Sequence, residues 1–226
     1  MSGEEAAEDL LEALSAEQRA ELLALGASRR YAKGQAIFHV GQVPDDVVIL
    51  RSGRVKVSRS TRDGREVVLA FRGAGAVLGE LGVIDGRPRL ASVIPLEPVE
   101  ATAIPGPAFR AFLERNPSAA MELLGLLARR LRDADAKRQE NASLDALGRV
   151  GSRLLELCDR YGADAGDGAI AITLPITQDE LAGWTGASIE AVGRALATMR
   201  GLGWVQTRRR EITVLRPDAL RAITAP

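Results

Sequence analysis

Residues 176–196 read ITQDELAGWTGASIEAVGRAL, a stretch that places two short helices around a glycine-containing turn. Thr177 followed three residues later by Glu180 is a capping box that opens the first helix, and Gly186 marks its end. Ser188 is the expected N-cap of the second helix. The stretch therefore predicts a helix-turn-helix. Its two helices are expected to be held together by Leu181, Trp184, Ile189 or Val192, Leu196 and Met199.

A basic hairpin follows this motif. Residues 203–207 and 211–215 alternate like two strands, and Arg208, Arg209 and Arg210 form the loop between them. Residues 145–226 hold equal numbers of basic and acidic side chains, so the excess of basic residues common in DNA-binding domains is missing. An arginine cluster at a hairpin tip nevertheless suits contact with DNA phosphates, and the order of elements predicts a winged helix-turn-helix that binds DNA.

The exposed first turn of the second helix carries Glu190 and Arg194 one helical turn apart. In a DNA major groove, arginine can donate two hydrogen bonds to guanine and glutamate can accept one from cytosine. The alternative is a surface ion pair between these two side chains, worth ~0.3–0.5 kcal/mol. The spacing alone is compatible with both interpretations.

Towards the N-terminus, Asn116-Pro117 begins a long helical segment. Its apolar positions recur at alternating spacings of three and four residues, which is typical of a coiled-coil seam. This seam, which becomes polar towards its end, consists of Leu124, Leu127, Leu131, Ala134, Arg138 and Asn141. The pattern favours pairing with a second chain, and the alternative is that the segment packs on its own β-domain.

Between residues 30 and 107 the pattern changes to short β-rich runs separated by turn residues every 8–12 positions. This spacing predicts an antiparallel β-barrel or jelly roll. The predicted strands are AIFHV, VVIL, VKVS, VVLAF, ASVI and EATAI. Residues 51–54 and 62–65 each lie between two runs and read as hairpin turns. Short helices over residues 8–26, with a capping box at Ser15 and Gln18, are expected to precede the barrel.

Composition excludes several classes of site. With 226 residues, 46% apolar and 27% charged, the chain is expected to form two globular domains. Cys158 is the only cysteine and His39 the only histidine, so one chain can build no disulfide, zinc, iron–sulfur or hydrolytic triad site. His39 is a candidate haem ligand only in principle, and a surface or hydrogen-bonded role is expected. We therefore predict a protein that is not an enzyme and has no metal site.

Location can be predicted from the same reading. The N-terminus, MSGEEAAEDLLEAL, lacks the basic and apolar regions of a secretory signal. No uncharged stretch approaches the ~20 apolar residues that a membrane span requires. We expect a cytoplasmic protein without a membrane partner.

With a β-barrel, a long pairing helix and a winged helix-turn-helix in this order, the chain resembles the cAMP receptor protein/FNR family of bacterial transcription regulators over nearly its whole length. The cysteine set of the FNR branch is absent. The matching motifs are GELG (79–82) followed by Arg89 and Ala91-Ser92, RNP (115–117), LLARRL (126–131), SLDALGRV (143–150) and ITQDELAGWTGASIEAVGRAL (176–196). The resemblance implies an α+β fold with three parts: a cyclic-nucleotide-binding-type β-barrel (jelly roll) over residues 1–115, a dimerisation helix and hinge over 116–142, and a winged helix-turn-helix over 143–226.

In cyclic-nucleotide-binding members of this family, a glutamate accepts a hydrogen bond from the ribose and an arginine binds the cyclic phosphate. The resemblance places these roles on Glu80 and Arg89, and a buried guanidinium does favour a bidentate anion. A mutual ion pair between the two side chains is the alternative. Arg87, next to Pro88 in a turn, is expected to be exposed. The implied ligand-binding residues are Gly79, Glu80, Leu81, Arg89, Leu90, Ala91, Ala134 and Asp135.

Several of these positions depart from the family pattern. Leu90 stands where the family has a hydroxyl that donates to the phosphate, and Ala134-Asp135 stand where a Thr-Ser pair meets adenine. Loss of a hydrogen bond to a charged oxygen lowers affinity roughly 10- to 150-fold. Three outcomes therefore stay open: weak or altered cAMP binding, a different nucleotide such as a guanine derivative, or no effector. No obligatory cofactor is expected.

The implied DNA-binding residues are Thr177, Gln178, Ser188, Ile189, Glu190, Gly193, Arg194, Arg208, Arg209 and Arg210. Ile189 replaces an arginine that reads a TGTGA-like half-site, so we expect a changed preference, with methyl contact to thymine. The implied partners are a palindromic DNA site and a second copy of the chain, with RNA polymerase a further candidate, and a hinge is expected near residues 141–146. The rivals are an effector-independent DNA-binding regulator with a degenerate barrel pocket, and a nucleotide-sensing module that acts through a protein partner.

Overall fold

The computed structural model describes residues 9–224. The described chain forms two compact units. Unit 1 comprises the described part of Met1–Arg59 together with Leu69–Asp133, and unit 2 comprises Ser60–Val68 together with the described part of Ala134–Pro226. The acidic N-terminal residues 1–8, including the start of the helices expected over 8–26, lie outside the described range.

Two short helices open the described chain: α1 is Leu10–Ala13 and α2 is Ala16–Ala24. The predicted capping box is confirmed, because the Ser15 hydroxyl accepts from the Gln18 amide and the Gln18 side chain accepts from the Ser15 amide. Satisfying these backbone groups fixes the start of α2. Leu10 of α1 and Leu22 of α2 are buried in the same hydrophobic core.

The first seven strands form two sheets. The strands are β1 Ala27–Tyr31, β2 Asp46–Ser52, β3 Val55–Ser60, β4 Glu66–Arg72, β5 Val77–Leu78, β6 Ser92–Pro95 and β7 Val99–Pro105. One sheet has the order β1-β7-β2-β5, and the other has the order β4-β3-β6. The ladders of β1, β2 and β5 with their neighbours, and of β3 with β6, are antiparallel. This agrees with the predicted jelly-roll architecture.

The position of strand β2 between two hydrophobic cores explains why its central sequence, VVIL, is apolar without alternation. Val48 and Leu50 pack into a core with β3, β6 and β7, whereas Val47 and Ile49 face a second core formed with the helices. Side chains alternate between the two faces of a strand, so a strand covered on both faces needs apolar residues throughout. All four side chains are fully buried.

One predicted strand was wrong, and strand β1 was missed. AIFHV (36–40) forms only an isolated bridge, Phe38 to Val93, because turns at Ala32–Gln35 and His39–Gln42 interrupt pairing on both sides. Strand β1 was not predicted, because its sequence ASRRY is almost wholly exposed and carries no apolar pattern. Backbone pairing with β7 holds this polar strand in place.

The two predicted hairpins behaved differently. The turn at residues 62–65 joins the neighbouring strands β3 and β4, as expected. The turn at residues 51–54 does not make a hairpin, because β2 and β3 belong to different sheets. Gly53 permits this corner: its φ is +80°, and a side chain there would collide with the backbone oxygen of Pro98.

Three helices complete the part of the chain before residue 144: α3 is Glu80–Asp85, α4 is Gly106–Arg115 and α5 is Pro117–Ser143. Phe109, Phe112, Leu123 and Leu126 fill the core between these helices and β2. The long helix after Pro117 is therefore confirmed. Several seam residues are not covered by their own chain, since Leu124 is 57% and Leu131 63% exposed, whereas Leu127 packs against the core.

The remaining elements belong to unit 2. They are α6 Ala146–Tyr161, β8 Gly162–Asp164, β9 Ile170–Ile172, α7 Gln178–Thr185, α8 Ile189–Gly201, β10 Val205–Arg208, β11 Glu211–Val214 and α9 Pro217–Thr224. The sheet has the order β10-β11-β9-β8, with antiparallel ladders. Helices α7 and α8 form the predicted helix-turn-helix, and the β10–β11 hairpin is its wing. The α+β fold class is thus confirmed.

The helix-turn-helix has the predicted caps. The Thr177 hydroxyl and the Glu180 side chain make a reciprocal capping box, and the Ser188 hydroxyl accepts from the Ala191 amide. Between α7 and α8, Val192 is fully buried while Ile189 is 49% exposed, so Val192 is the core residue of the two alternatives. Within residues 9–224, no helix is both long and apolar enough to cross a membrane.

Candidate functional site

The GELG motif forms the corner between β5 and α3. Gly79 has a φ of +81°, and any side chain there would collide with the guanidinium of Arg89 and the ring of Phe38. Glycine is therefore required both by the backbone and by the space. This turn places Glu80 as the first residue of α3, where its side chain is 4% exposed.

Glu80 pairs with the long helix. Arg130 of α5 donates from Nη1 to Glu80 Oε1 at 2.7 Å and from Nη2 to the Val77 carbonyl at 3.3 Å. A carboxylate can accept about four hydrogen bonds. The Glu80 side chain therefore keeps acceptor capacity after pairing with Arg130.

Arg89 is another buried charged residue of unit 1, and its side chain is 2% exposed. Nη1 donates to the Gly79 carbonyl at 2.7 Å, and Nη2 donates to the Asp46 carbonyl at 2.7 Å and to Asp46 Oδ1 at 2.8 Å. The guanidinium lies 3.8 Å from the centre of the Phe38 ring, a cation–π contact. Its Nε is buried without a hydrogen-bond partner among the described residues.

The alternative of a mutual Glu80–Arg89 ion pair is wrong, because each side chain has a different partner. Glu80 binds Arg130, and Arg89 binds Asp46. Sequence reasoning missed both partners. Arg130 lies within the LLARRL motif, but its spacing gave no reason to direct it at Glu80; Asp46 follows another aspartate at the start of an apolar run, which reads as a turn.

Burial governs the titration of the Arg89–Asp46 pair. Desolvation lowers the pKa of Arg89, and the charges of Asp46, Asp45 and Glu80 act in the opposite direction. Desolvation raises the pKa of Asp46, as does the negative charge of Asp45, while Arg89 opposes both. The site is therefore a compact group of opposite charges, with more carboxylates than guanidiniums.

The other predicted ligand-binding residues are spread over the two units. Leu81 is 43% and Leu90 56% exposed, whereas Ala91 is 9% exposed. Ala134 and Asp135 are exposed residues of α5 in unit 2, and Asp135 pairs with Arg138 at 3.1 Å. Unit 1 thus brings Gly79, Glu80 and Arg89 together. Arg87 is exposed, as predicted.

The N-terminal part of helix α8 carries exposed polar side chains. Ser188, Glu190 and Arg194 are exposed, together with Ile189. Hydrogen bonds from the backbone amide of Glu190 and from the Ser188 hydroxyl lower the pKa of Glu190, and the charge of Arg194 adds a smaller effect. The Glu190 carboxylate is thus held at the helix N-terminus, where negative charge is favoured.

Helix α7 contributes its N-terminus to the same region. Gln178 is exposed at the first position of α7. The hydroxyl of Thr177 accepts a hydrogen bond from the Glu180 amide in the capping box. A side chain on Gly193 of α8 would come within 3.9 Å of the Gln178 Oε1 atom, so the two helices are close there. The predicted residues of α7 and α8 therefore form one surface.

The wing differs slightly from the prediction. Arg208 is the last residue of β10 and pairs with Glu211, so the turn itself consists of Arg209 and Arg210. Arg210 has a φ of 61°, a left-handed conformation that closes the two-residue turn. All three arginines are exposed, and Thr207 accepts a hydrogen bond from Arg200 of α8 at 3.0 Å. This contact ties the wing to the second helix.

Unit 2 contains a second cluster of ion pairs, which was not predicted from the sequence. In unit 2, the buried Arg153 of α6 donates to Glu156 at 2.6 Å and to Glu140 of α5, and Lys137 of α5 binds Glu156 at 3.1 Å. The Trp184 ring of α7 lies 5.4 Å from the Arg153 guanidinium and 5.2 Å from the Lys137 ammonium. These side chains join three helices at the end of α5, and we call them the hinge cluster because they lie near the hinge expected at residues 141–146. Among residues 9–224, no group of three or more His, Cys, Asp or Glu side chains could hold a metal ion.

Comparison with known families agrees with this geometry. Residues 28–116 match the cyclic nucleotide-binding domain, and residues 148–223 match the Crp-like helix-turn-helix domain. The first match covers nearly all of β1 to β7 together with Glu80 and Arg89, and the second covers α7, α8 and the wing.

Individual relatives match over most of their length. The chain is 34% identical over 184 residues to the CRP-like cAMP-activated global transcriptional regulator of Mycobacterium tuberculosis, covering 81% of this chain and 82% of that protein. It is 33% identical over 178 residues to the cyclic AMP receptor protein of Thermus thermophilus, covering 79% of each. The solved structure of the c-di-GMP responsive global regulator CLP from Xanthomonas campestris has a TM-score of 0.77 at 25% identity, covering 88% of this chain and 99% of that one.

Proposed function

Since this chain belongs to the Crp/Fnr family of DNA-binding transcription regulators, we propose that it acts as a homodimer on a palindromic DNA site and responds to an anionic, nucleotide-like effector in unit 1. We assign the sensor to residues 1–115, the dimerisation helix and hinge to 116–142, and the DNA-binding domain to 143–226. RNA polymerase is the partner through which such a regulator would act on transcription.

The observation that carries the effector proposal is the guanidinium of Arg89. Its side chain is 2% exposed, and its Nε has no hydrogen-bond partner among the described residues. An unsatisfied donor on a buried cation is costly unless an acceptor reaches it. A phosphate oxygen supplies such an acceptor, and Glu80 would accept from a ribose hydroxyl. The cAMP-activated relatives support a cyclic nucleotide as the ligand class.

DNA recognition rests on the surface of α8 and the wing. In this proposal Arg194 would donate to a guanine, Glu190 would accept from a cytosine, and Ile189 would contact a thymine methyl. Arg209 and Arg210 at the wing tip would bind phosphates. Because the two half-sites follow the twofold symmetry of a dimer, they would lie about one helical turn or more apart.

Dimerisation rests on the uncovered side of α5. Leu124 and Leu131, seven residues apart, are both more than half exposed, as is Met121. A soluble helix rarely exposes such a row of large apolar residues without a partner. A second copy of α5 would cover them in a parallel seam.

Three measurements test the proposal. Calorimetric titration of the full chain with cAMP, cGMP and cyclic di-GMP should give heat with at least one ligand, and the Arg89→Gln variant should lose that heat. If no ligand gives heat while DNA binding persists, the effector-independent alternative is correct.

The Arg194→Ala variant should lose preference among DNA sequences in a selection from random sites, and a wild-type preference for an unmodified TGTGA half-site would contradict the role of Ile189. No DNA affinity at low salt would favour the protein-partner alternative.

A further inference from the structure

The anion that binds Arg89 in this structure is a side chain of the same protein. Asp46, at the start of β2, supplies both a backbone carbonyl and a carboxylate oxygen to Nη2. Charge-assisted hydrogen bonds between a guanidinium and a carboxylate are strong and resemble those made to phosphate. The Asp46 carboxylate thus satisfies part of the hydrogen-bonding capacity that a ligand phosphate would use.

On the basis of the proposed function, we propose that Asp46 is a specificity-determining residue. Its carboxylate disfavours the binding of negatively charged ligands at Arg89 and makes their affinity depend on pH. A ligand phosphate reaching Arg89 would lie beside the Asp46 carboxylate. Two like charges held close together in a partly buried site repel each other unless one is neutralised. Binding would therefore require protonation of Asp46 or loss of its contact with Arg89.

Exposure shows which partner a ligand meets first. The Asp46 side chain is 30% exposed, whereas that of Arg89 is 2% exposed. The guanidinium is covered on one face by Phe38 and bound along its edge by the Gly79 carbonyl. A ligand arriving from water consequently meets the carboxylate before the buried cation.

The surrounding charges act in the same direction. Asp45 Oδ1 lies 3.8 Å from Arg89 Nη2, Glu80 interacts with Arg89 electrostatically, and Tyr31 of β1 interacts with Asp46. Arg89 is the positive charge in direct contact with Asp46, since Arg130 is bound to Glu80. Burial and the charge of Asp45 already raise the pKa of Asp46, and an incoming phosphate would raise it further. Because binding is then coupled to proton uptake, affinity should increase as the pH falls.

The test compares two carboxylate-to-amide variants of the full chain. Asp46→Asn keeps the shape of the side chain and removes its charge; Asp45→Asn is the matched control, since Asp45 is 78% exposed and lies 3.8 Å from the guanidinium. Each is titrated calorimetrically with cAMP, cGMP and cyclic di-GMP. We expect Asp46→Asn to bind at least one ligand about tenfold or more tightly than wild type, and Asp45→Asn to change affinity less than about threefold.

A second measurement keeps the test informative if Asp46→Asn does not fold. Wild-type affinity is measured between about pH 8 and pH 6, where we expect it to rise, by at most about tenfold per pH unit for one proton. Wild-type binding that is independent of pH and no weaker than that of Asp46→Asn overturns the inference while leaving the proposed effector site intact. A folded Asp46→Asn variant that binds none of the three ligands at any pH overturns the inference and the effector proposal together.

Discussion

The hinge cluster leads to a prediction about the stability of unit 2. Glu156 binds Arg153 at 2.6 Å and Lys137 at 3.1 Å, and it lies 3.8 Å from Arg160. The Glu156→Gln substitution retains the side-chain shape but removes the charge that all three cations share. Arg153, whose side chain is 5% exposed, would then depend on Glu140 alone.

The magnitude can be bounded from this geometry. Removing one partner of a fully buried ion pair costs about 3–5 kcal/mol, because an uncompensated charge remains. Glu156 is 24% exposed, and Arg153 keeps a second carboxylate, so water and Glu140 offset part of that loss. We therefore expect the free energy of unfolding of unit 2 to fall by about 2 kcal/mol, which lowers the urea midpoint by about 1 M at a typical slope.

Tryptophan fluorescence measures this transition selectively. The chain has two tryptophans, Trp184 and Trp204, and both belong to unit 2. Urea unfolding followed by tryptophan emission thus reports on unit 2, even if the full chain does not unfold in two states. Asp159→Asn, an exposed carboxylate on the same helix, is the control and should change stability by less than about 0.5 kcal/mol.

A double-mutant cycle provides the sharper check. Combining Glu156→Gln with Glu140→Gln leaves Arg153 without either carboxylate, so the loss should exceed the sum of the two single losses by about 0.5–3 kcal/mol. Midpoints for Glu156→Gln that match Asp159→Asn, together with additive effects in the double variant, would refute the assignment of Arg153 as a buried charge shared by two carboxylates.

Three further predictions concern the dimer seam, the wing and the single thiol. The Leu131→Asp substitution, on a side chain that is 63% exposed, should weaken dimerisation at least about 100-fold in sedimentation equilibrium, and an unchanged dimer would place the interface elsewhere. Replacing Arg209 and Arg210 by glutamine should remove about two phosphate contacts per chain, or about four per dimer, and so lower the dependence of DNA affinity on salt concentration; an unchanged slope in fluorescence anisotropy would contradict phosphate binding by the wing. Burial raises the pKa of Cys158 to about 11, so a thiol reagent at pH 8 should react slowly with the folded protein and rapidly in urea; stability should also fall as the pH rises above the pKa of the unfolded thiol.

Local signals predicted the helix-turn-helix well. The Thr177 capping box joins residues three apart, and Ser188 caps α8 over the same distance. Such contacts are properties of a short peptide segment, so they can be read without knowing the rest of the fold. The exposed positions of Glu190 and Arg194 follow from the register that these caps impose.

Nonlocal contacts explain what the sequence could not predict. Asp46 and Arg89 are 43 residues apart, and Glu80 and Arg130 are 50 apart. Their pairing depends on how β2, α3 and α5 come together, for which no local pattern exists. The prediction of a strand over AIFHV (36–40) was wrong for a related reason. The apolar pattern could not reveal the turns that interrupt pairing on both sides of the Phe38 bridge.

Two features of unit 1 change the expected ligand chemistry in the same direction. Leu90 provides no hydroxyl to donate to a phosphate, and Asp46 adds a negative charge where that phosphate would bind. In the proposed site both features would lower the affinity for a phosphate, whereas Glu80 would still accept a hydrogen bond from a ribose hydroxyl. Because the two effects act on the same phosphate group, they need not be additive. The Leu90→Ser substitution, which restores a hydroxyl, should therefore increase the affinity for a cyclic nucleotide more in the Asp46→Asn background than in wild type. Without the Asp46 charge, the phosphate can reach both the Arg89 guanidinium and the new hydroxyl.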